Sequence, residues 1–149
     1  MILFLDFDGV LHPEGLQAGE GYKLFCARPV LHQILRAAPD VDVVFSTSWR
    51  LLYSFDELVS FATGHEDLAH RFLGITPHLP AEERRQGIIG QREDEIQAWL
   101  AMHGRDPGRW LALDDQPDFF WPRCSGLYLT DWQSGLVDED VWAIVESLR

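Results

Sequence analysis

The 149-residue sequence predicts an α/β fold in which a parallel sheet carries helices on both faces. Short apolar runs that suit buried strands alternate along the chain with segments of helical periodicity. No repeat, low-complexity stretch or linker divides the chain, so we expect a single domain over 1–149. This alternation implies right-handed crossovers and a Rossmann-like sheet, with functional groups at the carboxyl ends of the strands.

The first predicted strand covers residues 2–7, an apolar run that only Asp6 interrupts. The glycines and prolines of residues 9–23 then predict a loop. Pro29 begins a helix, because proline is favoured in the first helical turn. The inward face of this helix is expected to carry Val30, Leu31, Ile34 and Leu35.

A second apolar strand is predicted at residues 41–45. Ser54 and Glu57 have the spacing of a capping box, which predicts a helix over 54–62. A shorter helix is predicted over residues 66–72, where a glycine soon follows as a stop signal.

Residues 76–90 predict a loop, and 91–103 carry the strongest helical signal of the chain, with acidic residues in the first turn. The buried stripe of this helix is expected to be Ile96, Trp99 and Leu100. Further strands are predicted at 110–113 and 126–130. Asp138 is the expected cap of a last helix. Its inward residues are Val141, Ile144, Val145 and Leu148.

The composition excludes several classes of protein. Twelve basic and 24 acidic side chains give a net charge of −12, which disfavours binding to extended duplex nucleic acid or to anionic membranes. No window is apolar enough for a membrane span, and the first residues lack a basic segment and reach Asp6 early, so we expect no signal peptide. Cys26 and Cys124 do not make a disulfide framework, so we expect a cytoplasmic protein with free thiols. The sequence leaves the oligomeric state open.

Acidic and hydroxyl side chains follow three of the predicted strands. If these strands are neighbours, four carboxylates converge, and two charges 4 Å apart repel by about 4 kcal/mol at an effective dielectric near 20. A hard divalent cation relieves that repulsion, and Mg²⁺ is the expected ion because histidine and cysteine are absent from these positions. Taken singly, each acidic pair is also typical of a solvated turn or a helix cap. The side chains are Asp6 and Asp8, Ser46 and Thr47, and Asp114 and Asp115.

Three segments carry a family resemblance. Residues 4–11 read Phe-Leu-Asp-Phe-Asp-Gly-Val-Leu, residues 43–46 read Val-Val-Phe-Ser, and residues 111–115 read Leu-Ala-Leu-Asp-Asp. In order and spacing they resemble the first, second and fourth motifs of the haloacid dehalogenase (HAD) superfamily. Three further segments also resemble the capless HAD domains assigned to bacterial RNA-repair proteins: Ser-Thr-Ser-Trp-Arg at 46–50, the helix start Arg92-X-X-Glu95-Ile96, and the later stretch 130–136.

The resemblance implies a HAD-like fold without a full cap domain and a phosphatase that forms an aspartyl-phosphate. It assigns the nucleophile to Asp6 and the general acid and base to Asp8. It places Mg²⁺ on the carboxylates of Asp6 and Asp115 and the backbone carbonyl of Asp8, with Asp114 either a ligand or beside the site. The acid two residues after the nucleophile indicates phosphatase or phosphotransferase chemistry.

The same resemblance implies the groups that hold the phosphate. Ser46 takes the role of the second motif, or Thr47 if the register differs by one. The family has a lysine as its third motif, but no lysine follows Lys23, and Arg92 is the expected substitute. Gly9 and Arg50 are candidate substrate-binding residues, although Arg50 fits a structural pairing with an acid equally well.

The substrate is expected to be a phosphorylated molecule. The absence of a cap favours a terminal phosphate, such as one on a nucleic-acid end, while a small molecule covered by residues 10–24 stays an alternative. Trp49, Trp121 and Trp132 are interpreted either as surfaces for stacking a base or as packing under the rim, and His12 as a structural or solvated loop residue. Two other functions stay open: a catalytically weak module that binds a phosphorylated ligand or partner, and an acidic interaction protein.

Overall fold

A computed structural model describes residues 1–149 and contains five parallel strands and four α-helices. The strands are β1 (Ile2–Leu5), β2 (Asp42–Phe45), β3 (Phe72–Ile75), β4 (Trp110–Asp114) and β5 (Leu127–Leu129). The helices are α1 (Arg28–Ala37), α2 (Phe55–Thr63), α3 (Gln91–Met102) and α4 (Asp140–Ser147). The strand order is β3-β2-β1-β4-β5, so the first strand of the chain is the central one. The predicted α/β fold is confirmed.

The central strand β1 is buried on both faces of the sheet. Leu3 and Leu5 pack into a large core with α1, α2 and α4, whereas Ile2 and Phe4 pack into a smaller core with α3. Phe4 meets the ring of Trp99 edge-on, with centroids 5.8 Å apart. This two-sided burial explains why β1 is a continuous apolar run, and it confirms helices on both faces.

The short helix predicted over 66–72 is wrong. Ala69–Arg71 makes only a single 3-10 turn, and β3 follows directly. The buried Arg71 guanidinium donates to the Val41 carbonyl over 2.9 Å, and the Phe72 ring stacks on Phe45 at 5.1 Å. These contacts with β2 and with the residue that precedes it decide the conformation, because a four-residue edge strand has too little periodicity to be distinguished from a helix.

Three boundaries also differ from those predicted. β1 ends at Leu5 instead of residue 7, and β5 is shorter at both ends than the predicted 126–130. Asp138 is not a helix cap, because α4 begins at Asp140 and the Asp138 carboxylate accepts a hydrogen bond from Gln33 Nε2 at 3.1 Å. Asp140 instead accepts from the backbone N–H of Val137 at 2.9 Å.

The remaining elements agree with the sequence patterns. Ser54 and Glu57 form the capping box of α2 in both directions, and the predicted stripes of α1 and α3 are buried. One loop with a 3-10 turn joins β1 to α1, and only α2, β3 and short turns lie between β2 and α3. The fold therefore lacks a cap domain. None of its helices has the length and apolar character needed to cross a membrane.

Candidate active site

The carboxyl ends of the three central strands lie level with one another. Leu5 of β1 pairs with Phe45 of β2 and with Leu113 of β4. The residues that directly follow these three are Asp6, Ser46 and Asp114, which therefore lie next to one another at this edge of the sheet. The N–H of Asp6 donates to the Leu113 carbonyl at 3.2 Å, and the N–H of Ser46 donates to the Leu5 carbonyl at 2.8 Å.

Three buried carboxylates meet at this edge of the sheet. One oxygen from each of Asp6, Asp114 and Asp115 lies within 4.8 Å of the other two. The expectation that four carboxylates converge is wrong, because the Asp8 carboxylate is not part of this group. β1 ends at Leu5 and the chain bends at Phe7, so the alternation that places residues i and i+2 on one face of a strand does not extend from Asp6 to Asp8.

Burial perturbs all three acids of this cluster. It raises the pKa of Asp6, and burial together with the charge of Asp6 raises the pKa of Asp114 well above its ordinary value. Burial, followed by a hydrogen bond with the Glu14 carboxyl and the charge of Asp6, raises the pKa of Asp115 to about 7. The protein therefore holds carboxylates where their negative charge is poorly compensated.

Arg92 is the cation that contacts the cluster. Its Nη1 lies 3.0 Å from Asp114 Oδ2 and 3.4 Å from Asp6 Oδ1, and it donates to the Ser46 carbonyl at 2.7 Å. Arg92 reaches this position from the first turn of α3 and is itself buried. The structure thus brings Arg92 beside the predicted nucleophile.

The cluster fits a divalent cation with oxygen ligands. Three carboxylates and one guanidinium leave a formal charge of −2. Asp115 Oδ2 is buried without a hydrogen-bond partner, whereas both Asp114 oxygens are occupied, Oδ1 by the Gln116 N–H at 2.9 Å and Oδ2 by Arg92. A buried carboxylate oxygen without a partner costs free energy unless a cation supplies one. The free oxygen favours Asp115 over Asp114 as a metal ligand.

Gly9 is required by the close approach of the backbone to Asp115. Gly9 has φ +76°, and a Cβ added there would lie 2.7 Å from Asp115 Cβ and closer still to its Cγ and Oδ2. Its carbonyl accepts a hydrogen bond from Thr130 Oγ1 at 2.7 Å. The role that the structure shows for Gly9 is to let the loop after β1 pass close to Asp115. Substrate binding by Gly9 stays a prediction.

The two hydroxyls after β2 differ in their hydrogen bonds. Ser46 Oγ is buried with no partner. Thr47 Oγ1 accepts from the Trp49 N–H at 3.3 Å and caps the 3-10 turn Ser48–Leu51. Ser46 therefore has the unpaired hydroxyl, whereas the Thr47 hydroxyl also contacts Asp6, where its hydrogen bond opposes the rise in the pKa of that acid.

Asp8 is half-exposed and accepts two hydrogen bonds, from His12 Nε2 at 2.8 Å and from Trp49 Nε1 at 3.1 Å. The bond with His12 is the main cause that lowers the pKa of Asp8. The roles implied for the two acids require an ionised Asp6 as nucleophile and a protonated Asp8 as acid, but in the protein alone the pKa of Asp6 is raised and that of Asp8 is lowered. The reason is that Asp6 is buried whereas Asp8 faces two donors, and a cation on Asp6 would reverse its shift.

Arg50 is paired with an acid, which is the structural alternative considered for it. Its side chain is 6 % exposed, and Nη2 lies 2.9 Å from Oε2 of the fully buried Glu95. Its Nη1 donates to the Thr47 carbonyl at 2.9 Å, and the Leu79 N–H also donates to Glu95, at 2.8 Å. A substrate contact by Arg50 stays a prediction.

Glu95 was overlooked as a structural residue of the site. The sequence predicts Glu95 as an acid of the first turn of α3 and as part of the Arg92-X-X-Glu95 segment that resembles the capless family, without assigning it a role. Its place three residues after Arg92 puts the two side chains on the same face of the helix, and this spacing was the available signal.

The three tryptophans separate into two kinds. Trp49 packs among the rings of Phe7, Phe25, Tyr53 and Phe61. Trp121 packs against Gly90 and donates to Asp94 Oδ1 at 2.8 Å. Trp49 and Trp121 are therefore packing residues beneath the edge of the site. Trp132 is 52 % exposed and leaves its ring available.

One family model matches most of the chain. The model described as "HAD domain in Swiss Army Knife RNA repair proteins" covers residues 2–141. No curated protein and no solved structure matches the chain.

Proposed function

The chain belongs to the family of HAD domains in Swiss Army Knife RNA repair proteins, and from this premise we propose that it is a Mg²⁺-dependent phosphomonoesterase. The observation that carries the proposal is the buried cluster of Asp6, Asp114 and Asp115 at the carboxyl ends of β1 and β4, with Arg92 beside Asp6 and Asp114. Phosphoryl transfer needs positioned charge on both sides of the phosphate, and this cluster supplies a nucleophile, a cation and a metal-ligating edge.

The reaction proceeds in two steps at Asp6 and Asp8. An Asp6 oxygen attacks phosphorus, the ester P–O bond breaks, and the leaving oxygen takes a proton from Asp8. Water then attacks the aspartyl-phosphate, its proton passes to Asp8, and orthophosphate leaves a free Asp6 carboxylate. Hydrogen bonds keep the pKa of Asp8 low in the free protein. The negative charge of a bound phosphate monoester opposes that effect and favours the protonated acid.

Arg92 and Asp114 act as one unit in this scheme. Asp114 Oδ2 and the Ser46 carbonyl hold the Arg92 guanidinium 3.4 Å from Asp6 Oδ1. From there Arg92 keeps positive charge beside the nucleophile and the transferring phosphoryl group, the role of the family's lysine. The Ser46 hydroxyl, which has no partner, completes the phosphate contacts.

Mg²⁺ would be held by the Asp6 and Asp115 carboxylates and by the backbone carbonyl of Asp8. Bound there, it neutralises the acidic cluster and withdraws negative charge from the phosphoryl oxygens.

A terminal phosphate on a nucleotide or nucleic-acid end is the proposed substrate. A cavity of about 300 Å³ is lined by Glu14, Gly15, Gln116 and Trp132. Two of these residues contact the acidic cluster, because the Gln116 N–H donates to Asp114 and the Glu14 carboxyl hydrogen-bonds Asp115. The half-exposed Trp132 ring offers a surface for stacking a base beside the phosphate. The absence of a cap and the family's association with RNA repair support the same substrate.

The activity is tested with p-nitrophenyl phosphate in the presence of Mg²⁺ or of a chelator. We expect hydrolysis only with Mg²⁺ and a loss on the order of 10³-fold or more in Asp6→Asn. Asp67→Asn is the matched control, because Asp67 is exposed and precedes β3 at the opposite end of the sheet. Undiminished turnover in Asp6→Asn or with chelator contradicts the proposal. Binding of phosphate without turnover of any monoester supports the alternative of a non-catalytic module.

The substrate class is tested with a panel of nucleotides, 3′- and 5′-phosphorylated oligonucleotides, and alkyl and sugar phosphates. Trp132→Leu should raise KM for nucleotides about tenfold, the equivalent of one stacked base, and leave KM for an alkyl phosphate unchanged. Trp142→Leu is the control, since Trp142 is an exposed tryptophan on α4. Equal KM changes for both substrates would contradict a stacking role.

A further inference from the structure

Asp8 is held from behind by two aromatic N–H groups. His12 Nε2 lies 2.8 Å from Oδ1, and Trp49 Nε1 donates to Oδ2 at 3.1 Å. The Asp8 side chain is still 44 % exposed, so it keeps one open side. The hydrogen bonds from His12 and Trp49 therefore fix the orientation of the Asp8 carboxyl group while part of it stays accessible to solvent.

A second contact determines which nitrogen of His12 carries the proton. The backbone N–H of Phe25 donates to His12 Nδ1 at 3.3 Å. Because Nδ1 accepts this hydrogen bond, the proton of the neutral imidazole lies on Nε2. His12 therefore donates to Asp8 and does not accept from it.

The His12 ring is confined to this arrangement. It is 1 % exposed and lies against the rings of Phe25 and Trp49, with centroids 5.5 and 5.6 Å away. The His12 carbonyl accepts from the Gly9 N–H at 2.9 Å, which ties its backbone to the loop after β1. The only side-chain hydrogen-bond partners of His12 are the Phe25 amide and Asp8.

We propose that His12 is a positioning residue for Asp8, which holds the carboxyl group in the orientation that exchanges a proton with the leaving oxygen and with water. This inference rests on the proposed phosphatase function. Each carboxyl oxygen has two lone pairs, so Asp8 accepts from His12 and Trp49 whether it is ionised or protonated. The two hydrogen bonds thus persist while the Asp8 O–H bond breaks in the first step and forms again in the second.

Two amide substitutions separate the contacts of His12. The side-chain nitrogen of Gln reaches as far as Nε2, so His12→Gln keeps a donor for Asp8. The side chain of Asn reaches only as far as Nδ1, so His12→Asn keeps the Phe25 contact and loses the donor. His32→Asn is the matched control, because His32 is also a buried histidine, with Nε2 2.9 Å from the Ala62 carbonyl.

The kinetic readout is kcat/KM for two monoesters that differ in their need for an acid. His12→Asn should lower kcat/KM for an alkyl phosphate about 10- to 100-fold, the loss expected for one hydrogen bond to a charged group. For 2,4-dinitrophenyl phosphate, whose leaving group needs no proton, kcat/KM should change less than about threefold. His12→Gln should recover most of the alkyl phosphate activity, and His32→Asn should match the wild type on both substrates.

Equal losses on both substrates, or equal losses in His12→Asn and His12→Gln, overturn the positioning role while the Asp6-dependent activity still supports the phosphatase. A second readout does not depend on turnover. In ¹⁵N-labelled protein, His12 should give the signals of a neutral Nε2–H tautomer, and Asp8→Ala should shift the His12 Nε2–H resonance without moving that of His32. An Nδ1–H tautomer for His12, or no response to Asp8→Ala, overturns the inference even if no substrate is hydrolysed.

Discussion

Gly9→Ala tests whether the loop after β1 is shaped by the acidic cluster. Gly9 has φ +76°, and an added Cβ would lie within 3.0 Å of three Asp115 side-chain atoms. The left-handed backbone conformation costs a residue with a Cβ about 1–2 kcal/mol. Displacement of the Asp115 side chain adds about 1–3 kcal/mol, and the lower entropy of the unfolded chain returns about 0.4–1 kcal/mol.

Gly15→Ala is the matched control for this substitution. Gly15 lies in the same loop with φ +71°, but an added Cβ meets no atom within 4 Å. The backbone contribution is therefore shared, and the difference between the two variants isolates the displacement of Asp115. We expect Gly9→Ala to lower the free energy of unfolding by about 1–4.6 kcal/mol and Gly15→Ala by about 0–1.6 kcal/mol, with a difference of about 1–3 kcal/mol between the two variants.

The assay combines urea denaturation with a titration of Mg²⁺. Because Asp115 is the proposed ligand with a free oxygen, Gly9→Ala should also weaken Mg²⁺ binding at least about tenfold, which corresponds to 1.4 kcal/mol. Gly15→Ala should bind Mg²⁺ as the wild type does. Indistinguishable stabilities and Mg²⁺ affinities for the two variants would refute this reasoning.

Three further predictions concern buried or titrating groups. Folding raises the pKa of Asp115 from an ordinary 3.8 to about 7. The unfolding free energy of the wild type should therefore fall relative to that of Asp115→Asn as the pH rises from 4 through 7. A difference between the two proteins that does not change with pH contradicts this prediction. Glu95→Gln should destabilise the protein by about 3–5 kcal/mol in thermal or urea unfolding, because it leaves the buried Arg50 charge uncompensated. A loss of stability below about 1 kcal/mol would argue against the Arg50–Glu95 pairing. Burial raises the pKa of Cys124 to about 11, whereas Cys26 is exposed. At pH 8, iodoacetamide should therefore label Cys26 at least about tenfold faster than Cys124, as measured by mass spectrometry of the peptides. Equal labelling rates would contradict the burial of Cys124.

Local patterns were sufficient where a segment is buried along its whole length. Residues 41–45 and 110–113 were predicted as strands within one residue of β2 and β4, because strands covered on both faces are continuous apolar runs. The motifs at residues 4–11 and 111–115 then place acidic side chains at the carboxyl ends of β1 and β4. The register that brings Asp6 beside Asp114 follows from the parallel pairing of the two strands.

Local patterns failed where a distant contact decides the conformation. The strand β3 depends on pairing with β2 and on the Arg71 hydrogen bond to Val41, 30 residues away. The orientation of Asp8 depends on Trp49, 41 residues further along the chain. Neither partner is visible in a window of a few residues.

The sequence by itself determined the fold class, the family and the set of acids that carry the proposed chemistry, because these depend on apolar periodicity and on short motifs. Only the tertiary structure decided that His12 and Trp49 hold the Asp8 carboxylate, which is not one of the three clustered carboxylates, and that Glu95 pairs with Arg50, 45 residues away. The physical reason is that the free energy of a buried charge depends on which groups surround it. Those neighbours come together only when the strands and α3 pack.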